Sequence, residues 1–149
     1  MMSIEGVYGQ KNKTEKDIRL APKFDTEELS KSGHTLWKRK RVFDRFPTAN
    51  DYQDSLIFDA RFLKEKAVSI QNSHSANVLK YKVLACIDPS IWHTIIAEAT
   101  LNGATSVALD SSVTGAEQLG KPYAYLKIQV ASNVTDTPAT ITAFIAGQK

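Results

Sequence analysis

From residue 55 onward, hydrophobic and polar positions alternate with a period of two over most of the chain, and before it they do not. In SLIFDARFL, Leu56, Phe58, Ala60 and Phe62 fall on one side and Asp59 and Arg61 on the other, the spacing of a half-buried strand. KAVSIQN repeats the pattern with Val68 and Ile70. After the polar turn NSHSAN, VLKYKVLACI sets Leu79, Tyr81, Val83, Ala85 and Ile87 against Lys80 and Lys82. It becomes apolar on both sides toward its end, as a strand entering a core would. SVALD is a further short strand, and SSVTGAEQLGKP is a loop. In AYLKIQV, Leu126, Ile128 and Val130 oppose Tyr125, Lys127 and Gln129, and in ATITAFIA, Ile141, Ala143 and Ile145 oppose Thr140, Thr142 and Phe144. SNVTDTP between them supplies turn residues, so these last two strands are predicted to form an antiparallel hairpin.

One stretch gives two signals. In IDPSIWHTIIAEATLNG, Asp88 as N-cap, Pro89 at the first helical position and Gly103 as a stop spell a helix over 89–101. Ile91, Trp92, Thr94, Ile95 and Ile96 are strand formers. Strands on either side favour strand here too. Six to eight strands with short turns predict an all-β fold, an antiparallel β-sandwich or jelly-roll-like domain over residues 55–149.

Residues 1–54 read as a long extended N-terminal arm, poorly structured alone. Ile4, Val7, Tyr8, Ile18, Leu20, Phe24 and Leu29 are isolated anchors, and Pro22 and Gly33 interrupt any long helix. FDTEELSKSG predicts a short helix with Asp25 or Thr26 as N-cap. TLWKRKRVFDRFP joins aromatics to the densest basic run, and such a segment gains order only by lying against something else.

Composition sharpens this division. The 149 residues suffice for one domain with a core, and 42% hydrophobic with 23% charged residues is ordinary for a globular protein. Residues 1–54 carry eleven Lys/Arg and nine Asp/Glu, against eight and seven in the rest, so the parts differ in charge density rather than sign. A net charge of +3 does not by itself imply nucleic-acid binding. Cys86 is the single cysteine, expected as a buried thiol in VLACI, so no internal disulfide can form. The opening residues lack the basic and then apolar pattern of a secretory signal, and no run reaches the roughly 18 apolar residues of a membrane helix. A soluble protein made in a reducing cytoplasm is expected, away from membranes.

Candidate chemistry is sparse, and the expectation is no enzyme, no metal and no cofactor. His34, His74 and His93 form no HxH or HxxxH pair, and each is expected to be structural or exposed. Asp88, Glu98, Asp110 and Glu117 could supply a carboxylate pair, but such pairing is spatial and is not encoded in spacing. Neither GxGxxG nor GxxxxGK[ST] occurs. The basic run is the strongest polar feature, and we read Trp37, Lys38, Arg39, Lys40, Arg41, Phe43 and Phe46 as a partner-binding segment that docks on a neighbouring protein. Nucleic acid is disfavoured because Asp44, Asp51 and Asp54 blunt the field. Tyr123 and Tyr125 could form a ligand-facing aromatic platform, which motivates an alternative reading as a carbohydrate- or receptor-binding module. The sequons at Asn12 and Asn133 carry no weight without a secretory signal.

The order VLKYKVLACID, Trp92, a loop, and then YAYLKIQVASNVTDTPATITAFIAG resembles a pattern in small β-sandwich virion structural proteins of tailed bacteriophages. In those proteins a Y-x-Y-L-[KR]-[IV]-x-V strand precedes a small-residue turn and a terminal strand of the A-T-[IV]-T-[AV]-[FYW]-[IVL]-x-G-[KR] type. Tyr123 to Val130 and Ala139 to Lys149 match that shape. The resemblance covers residues 76–149, about half the chain. It implies a head decoration, neck or tail component of a virion whose partners are the major capsid protein or other virion proteins. It also implies self-association, as a trimer in the decoration case. An arm that gains order by draping over neighbours agrees with it.

Overall fold

The structure, a computed structural model, describes residues 27–32 and 35–149. The described strands are β1 (Glu27–Ser32), β2 (Thr35–Pro47), β3 (Gln53–Asp54), β4 (Phe58–Asp59), β5 (Glu65–Asn72), β6 (Leu79–Cys86), β7 (His93–Leu101), β8 (Thr105–Asp110), β9 (Tyr125–Ser132) and β10 (Thr140–Gln148). A single 3-10 turn, Glu117–Gly120, lies between β8 and β9. The strands form two antiparallel sheets. The first runs β3–β9–β6–β7, with β4 also pairing to β9, and the second runs β1–β2–β10–β5–β8. Together they make the expected all-β antiparallel sandwich.

The period-two segments build its centre. Along β5 every second residue is buried, and along β10 Ile141, Ala143, Ile145 and Gly147 point inward. From the opposite sheet Leu126, Ile128 and Val130 of β9 and Leu79, Tyr81, Val83 and Ala85 of β6 complete one contiguous core. Cys86 is buried and free.

Several expectations are corrected. β9 and β10 do not form a hairpin: β9 pairs with β6, and β10 inserts between β2 and β5. Their apolar residues meet in one core instead. The loop between them is fastened by Thr48, whose hydroxyl lies 2.8 Å from that of Ser132 and accepts from the Ala139 amide at 2.8 Å.

The boundary at residue 54 also moves. Residues 35–54 are not an arm: β2 is thirteen residues long, lies between β1 and β10, and buries Val42 and Phe43. Its apolar positions escape a period-two reading because two register shifts against β10 turn consecutive residues inward. Arg45 takes a positive φ of 47° there, and its amide donates to the Thr142 hydroxyl at 3.0 Å. Residues 27–32, expected within a short helix, pair with β2 along its length as β1. The proposed caps Asp25 and Thr26, the anchors from Ile4 to Phe24, and His34 lie outside the described residues.

Residues 89–101 resolve as a turn and a strand. Asp88 accepts from the Ser90 amide at 3.0 Å and hydroxyl at 2.9 Å, closing a turn rather than starting a helix. β7 carries two register shifts against β6, which bury the adjacent Ile95 and Ile96 and explain the broken alternation.

Candidate interaction surfaces

The basic segment is divided between the two sides of the second sheet. Lys38 and Lys40 lie opposite Gly147 and Ile145, so their side chains turn inward. Their ammonium groups run out along the sandwich and donate to the main-chain carbonyls of Asp59 at 2.7 Å and Ile57 at 2.9 Å. Trp37, Arg39 and Arg41 lie on the outer face, with Arg39 5.5 Å from the Trp37 ring and Arg41 5.4 Å from that of Phe144. Phe43 is in the core, Phe46 packs against it, and the two rings are 5.1 Å apart. Phe43 and Phe46 thus pack on the chain's own body, Phe43 fully and Phe46 in part.

Hydrophobic side chains reach solvent at one end of the first sheet. Tyr125, at the start of β9, lies opposite Asp59 on one side and Cys86 on the other. The segments following both partners therefore emerge together beside residues 121–124. They carry Phe62, 84% exposed, Ile87, 73% exposed, and Ile91, 57% exposed. The strand expected through Phe62 stops at Asp59, whose carboxylate accepts from the amide of Arg61 at 3.1 Å and from its guanidinium at 2.9 and 2.7 Å. This side-chain turn throws Phe62 outward at a φ of 70°, a left-handed conformation that disfavours a bulky side chain. The Asp two residues ahead of Arg61 was the sequence signal for that turn. Leu56, assigned to the buried face with Phe62, is also exposed, whereas Phe58, Ala60 and Leu63 are buried.

Tyr123 and Tyr125 have different surroundings. Tyr123 packs against the core and donates to Gln118 at 3.2 Å, while Tyr125 faces outward under the Arg61 guanidinium at 5.5 Å. The rest of that outer face is laced with charge. Lys127 stands 4.4 Å over Trp92 and pairs with Asp54 at 3.0 Å, and Lys82 stands 4.5 Å over Tyr52, whose hydroxyl donates to Glu98. Burial, and then that bond to Glu98, push the Tyr52 phenol well above its ordinary range.

The polar residues singled out earlier are dispersed. His74 Nδ1 accepts from the amides of Ala76 and Asn77 at 3.0 and 2.9 Å, holding the β5–β6 turn. His93 is exposed at the start of β7 opposite Ala85. Asp88 and Asp110 each bind a serine two residues on, Glu98 meets Tyr52, and Glu117 accepts from the Gly115 amide at 3.0 Å. Among the described residues no three His, Cys, Asp or Glu side chains gather as metal ligands. No described helix is long and apolar enough to cross a membrane. Sequence reasoning missed Lys66, which occupies an inward β5 position and is 1% exposed. Burial pushes its pKa below the ordinary lysine value.

No family model and no curated protein sequence matches the chain. Among solved structures the backbone is similar to that of infectious bursal disease virus Gx strain, with a TM-score of 0.47 at 9% identity over 78% of this chain and 32% of that one. It is also similar to the T13 particle of that virus, with a TM-score of 0.39 at 8% identity over 74% and 31%. A third neighbour is the family 11 carbohydrate-binding module from Clostridium thermocellum in complex with a β-1,3-1,4-mixed-linked tetrasaccharide, with a TM-score of 0.37 at 10% identity over 82% and 81%. The chain spans about a third of the length of the viral chains it matches.

Proposed function

We propose that the chain is a structural virion protein of a tailed bacteriophage, a lattice-stabilising decoration protein or another head or neck component that acts in the virion after synthesis in the host cytoplasm. Its partners are then the major capsid protein or other virion proteins and further copies of itself, a trimer in the decoration case. The observation that carries the reading is the exposed apolar end formed by Phe62, Ile87 and Ile91. Large side chains displayed together on short, tethered loops are the anchors expected of a protein–protein contact. The resemblance of residues 76–149 to small phage sandwiches supports the virion setting. A further support is the nine-residue β7, at the edge of the first sheet among the described residues, which offers unpaired main-chain groups to a neighbour. Structural work of this kind needs no catalytic centre, and we assign none.

The docking role expected of the arm is carried over here to residues 1–26, which lie outside the described residues. Removing them is expected to leave a soluble sandwich that no longer joins the particle, and normal incorporation would remove the arm's role. The assignment itself is tested by mass spectrometry of density-purified particles from the source culture. The chain is expected in fixed proportion to the main shell protein, and its absence from intact particles would contradict the assignment.

A further inference from the structure

We infer that the outer face of the second sheet carries a binding cleft for a neutral saccharide, a site independent of the virion reading and on the opposite side from Tyr125. Two rows of side chains cross the sheet there in register. Trp37, Gln148 and Glu65 form the first, and Arg39, Ala146, Ala67 and Asp110 form the second. The two alanines at the centre of the second row leave a trough between taller neighbours. The resulting cleft is about 510 Å³, with Trp37 and Arg39 on one wall and Asp110, Ser111 and Ser112 on the other. Its walls stand three strand spacings apart, roughly 14 Å. Its volume falls within the roughly 300–1,000 Å³ of small-molecule sites.

The chemistry selects among ligands. The main-chain groups of the floor are committed to the ladder, so a bound peptide would find no backbone partners and only side chains can read the ligand. Glu65 and Asp110 give the cleft two carboxylates against the one guanidinium of Arg39. Lys66 reaches the lining, but its ammonium is taken by the carbonyls of Lys121 at 2.6 Å and Lys64 at 3.2 Å. A phosphate or sulfate would meet both carboxylates. A sugar ring matches what is offered, since its apolar face suits the Trp37 ring and the methyl floor, and its hydroxyls suit carboxylate, amide and hydroxyl groups around them. The acceptors are held in place beforehand: the Ser111 hydroxyl donates to Glu65 at 2.9 Å, and the Ser112 amide donates to Asp110 at 2.9 Å.

The test is a titration of the ¹⁵N-labelled full chain with neutral probes, cellotetraose, laminaritetraose, mannotetraose and chitotetraose, followed by NMR. At least one is expected to shift the Trp37 indole and the Ala67 and Ala146 amides in a saturable way. Ala67→Leu fills the floor from an exposed position and should abolish those shifts without changing the thermal midpoint. Trp37→Ala and Asp110→Asn should each weaken binding by about tenfold or more, while Tyr125→Ala should leave it unchanged. No saturable shift with any probe overturns the inference. So do shifts centred on Tyr125, or tighter binding of a sulfated tetrasaccharide than of every neutral one.

Discussion

The ammonium of Lys66 donates to the main-chain carbonyl of Lys121 at 2.6 Å, fastening β5 of the second sheet to the segment that leads into β9 of the first. Two further carbonyls, of Lys64 and Leu63, lie at 3.2 and 3.5 Å from the same nitrogen. A buried cation held this way leaves acceptors orphaned when it is removed. Lys66→Met keeps most of the stem but no donor, and it is expected to destabilise the fold by about 1.5–3 kcal/mol. Chemical denaturation of the two proteins checks this, and an unchanged midpoint would show that water satisfies the carbonyls equally well.

Asp59 sets a second expectation, in acid. The Arg61 guanidinium bound to its carboxylate, aided by the nearby Lys38 charge, lowers its pKa from the ordinary 3.8 to about 2. A carboxylate whose folded pKa is depressed binds fewer protons in the native state than in the unfolded state between those two values. Its contribution is therefore complete above about pH 4 and is lost as pH falls toward 2. The thermal midpoint of the wild type should drop across that window, and Asp59→Asn should flatten part of the drop while leaving values at pH 7 to 8 parallel.

Removal of residues 1–50 is expected to unfold the protein, because it takes away β2 with Val42 and Phe43. Dispersed amide resonances in that truncation would contradict the placement of β2 as an interior strand.

Gly103 sits where the chain leaves β7 of one sheet for β8 of the other. A Cβ there would stand 2.7 Å from the His74 carbonyl oxygen and 2.8 Å from the Ala76 nitrogen, both main-chain atoms with little room to move. Gly103→Ala should cost about 1–3 kcal/mol, read as a lower denaturation midpoint with an unchanged slope.

The sandwich was legible wherever one face of a strand was buried without interruption. β5 and β10 alternate along their length, and β6 and β9 alternate until their last few residues, which are buried on both sides; the inward residues the pattern selects in these strands are buried. β2 and β7 were obscured by register shifts, which bury Val42 with Phe43 and Ile95 with Ile96 and so cancel the period. β2 was hidden further because Lys38 and Lys40 point inward and reach carbonyls at the margin, a use of lysine that looks like a solvated charge run in sequence. The pairing of β9 and β10 was misjudged because turn residues between two strands are the same whether the chain doubles back within a sheet or crosses to the other. The outer cleft is assembled from β2, β10, β5 and β8, so its residues lie far apart in the chain and no local spacing announces them. Phe62 was misplaced because period two continued through a turn that Asp59 enforces.

Phe62 offers the most direct measurement. It holds a conformation that costs a side-chain-bearing residue about 1 kcal/mol or more while placing its ring in solvent, an arrangement a partner surface would explain. Sedimentation velocity of the full chain and of Phe62→Gly, over a range of concentrations, separates the possibilities. The account predicts reversible self-association of the wild type, and a folded Phe62→Gly protein of at least equal thermal stability that stays monomeric. Identical sedimentation of the two proteins at every concentration would contradict it.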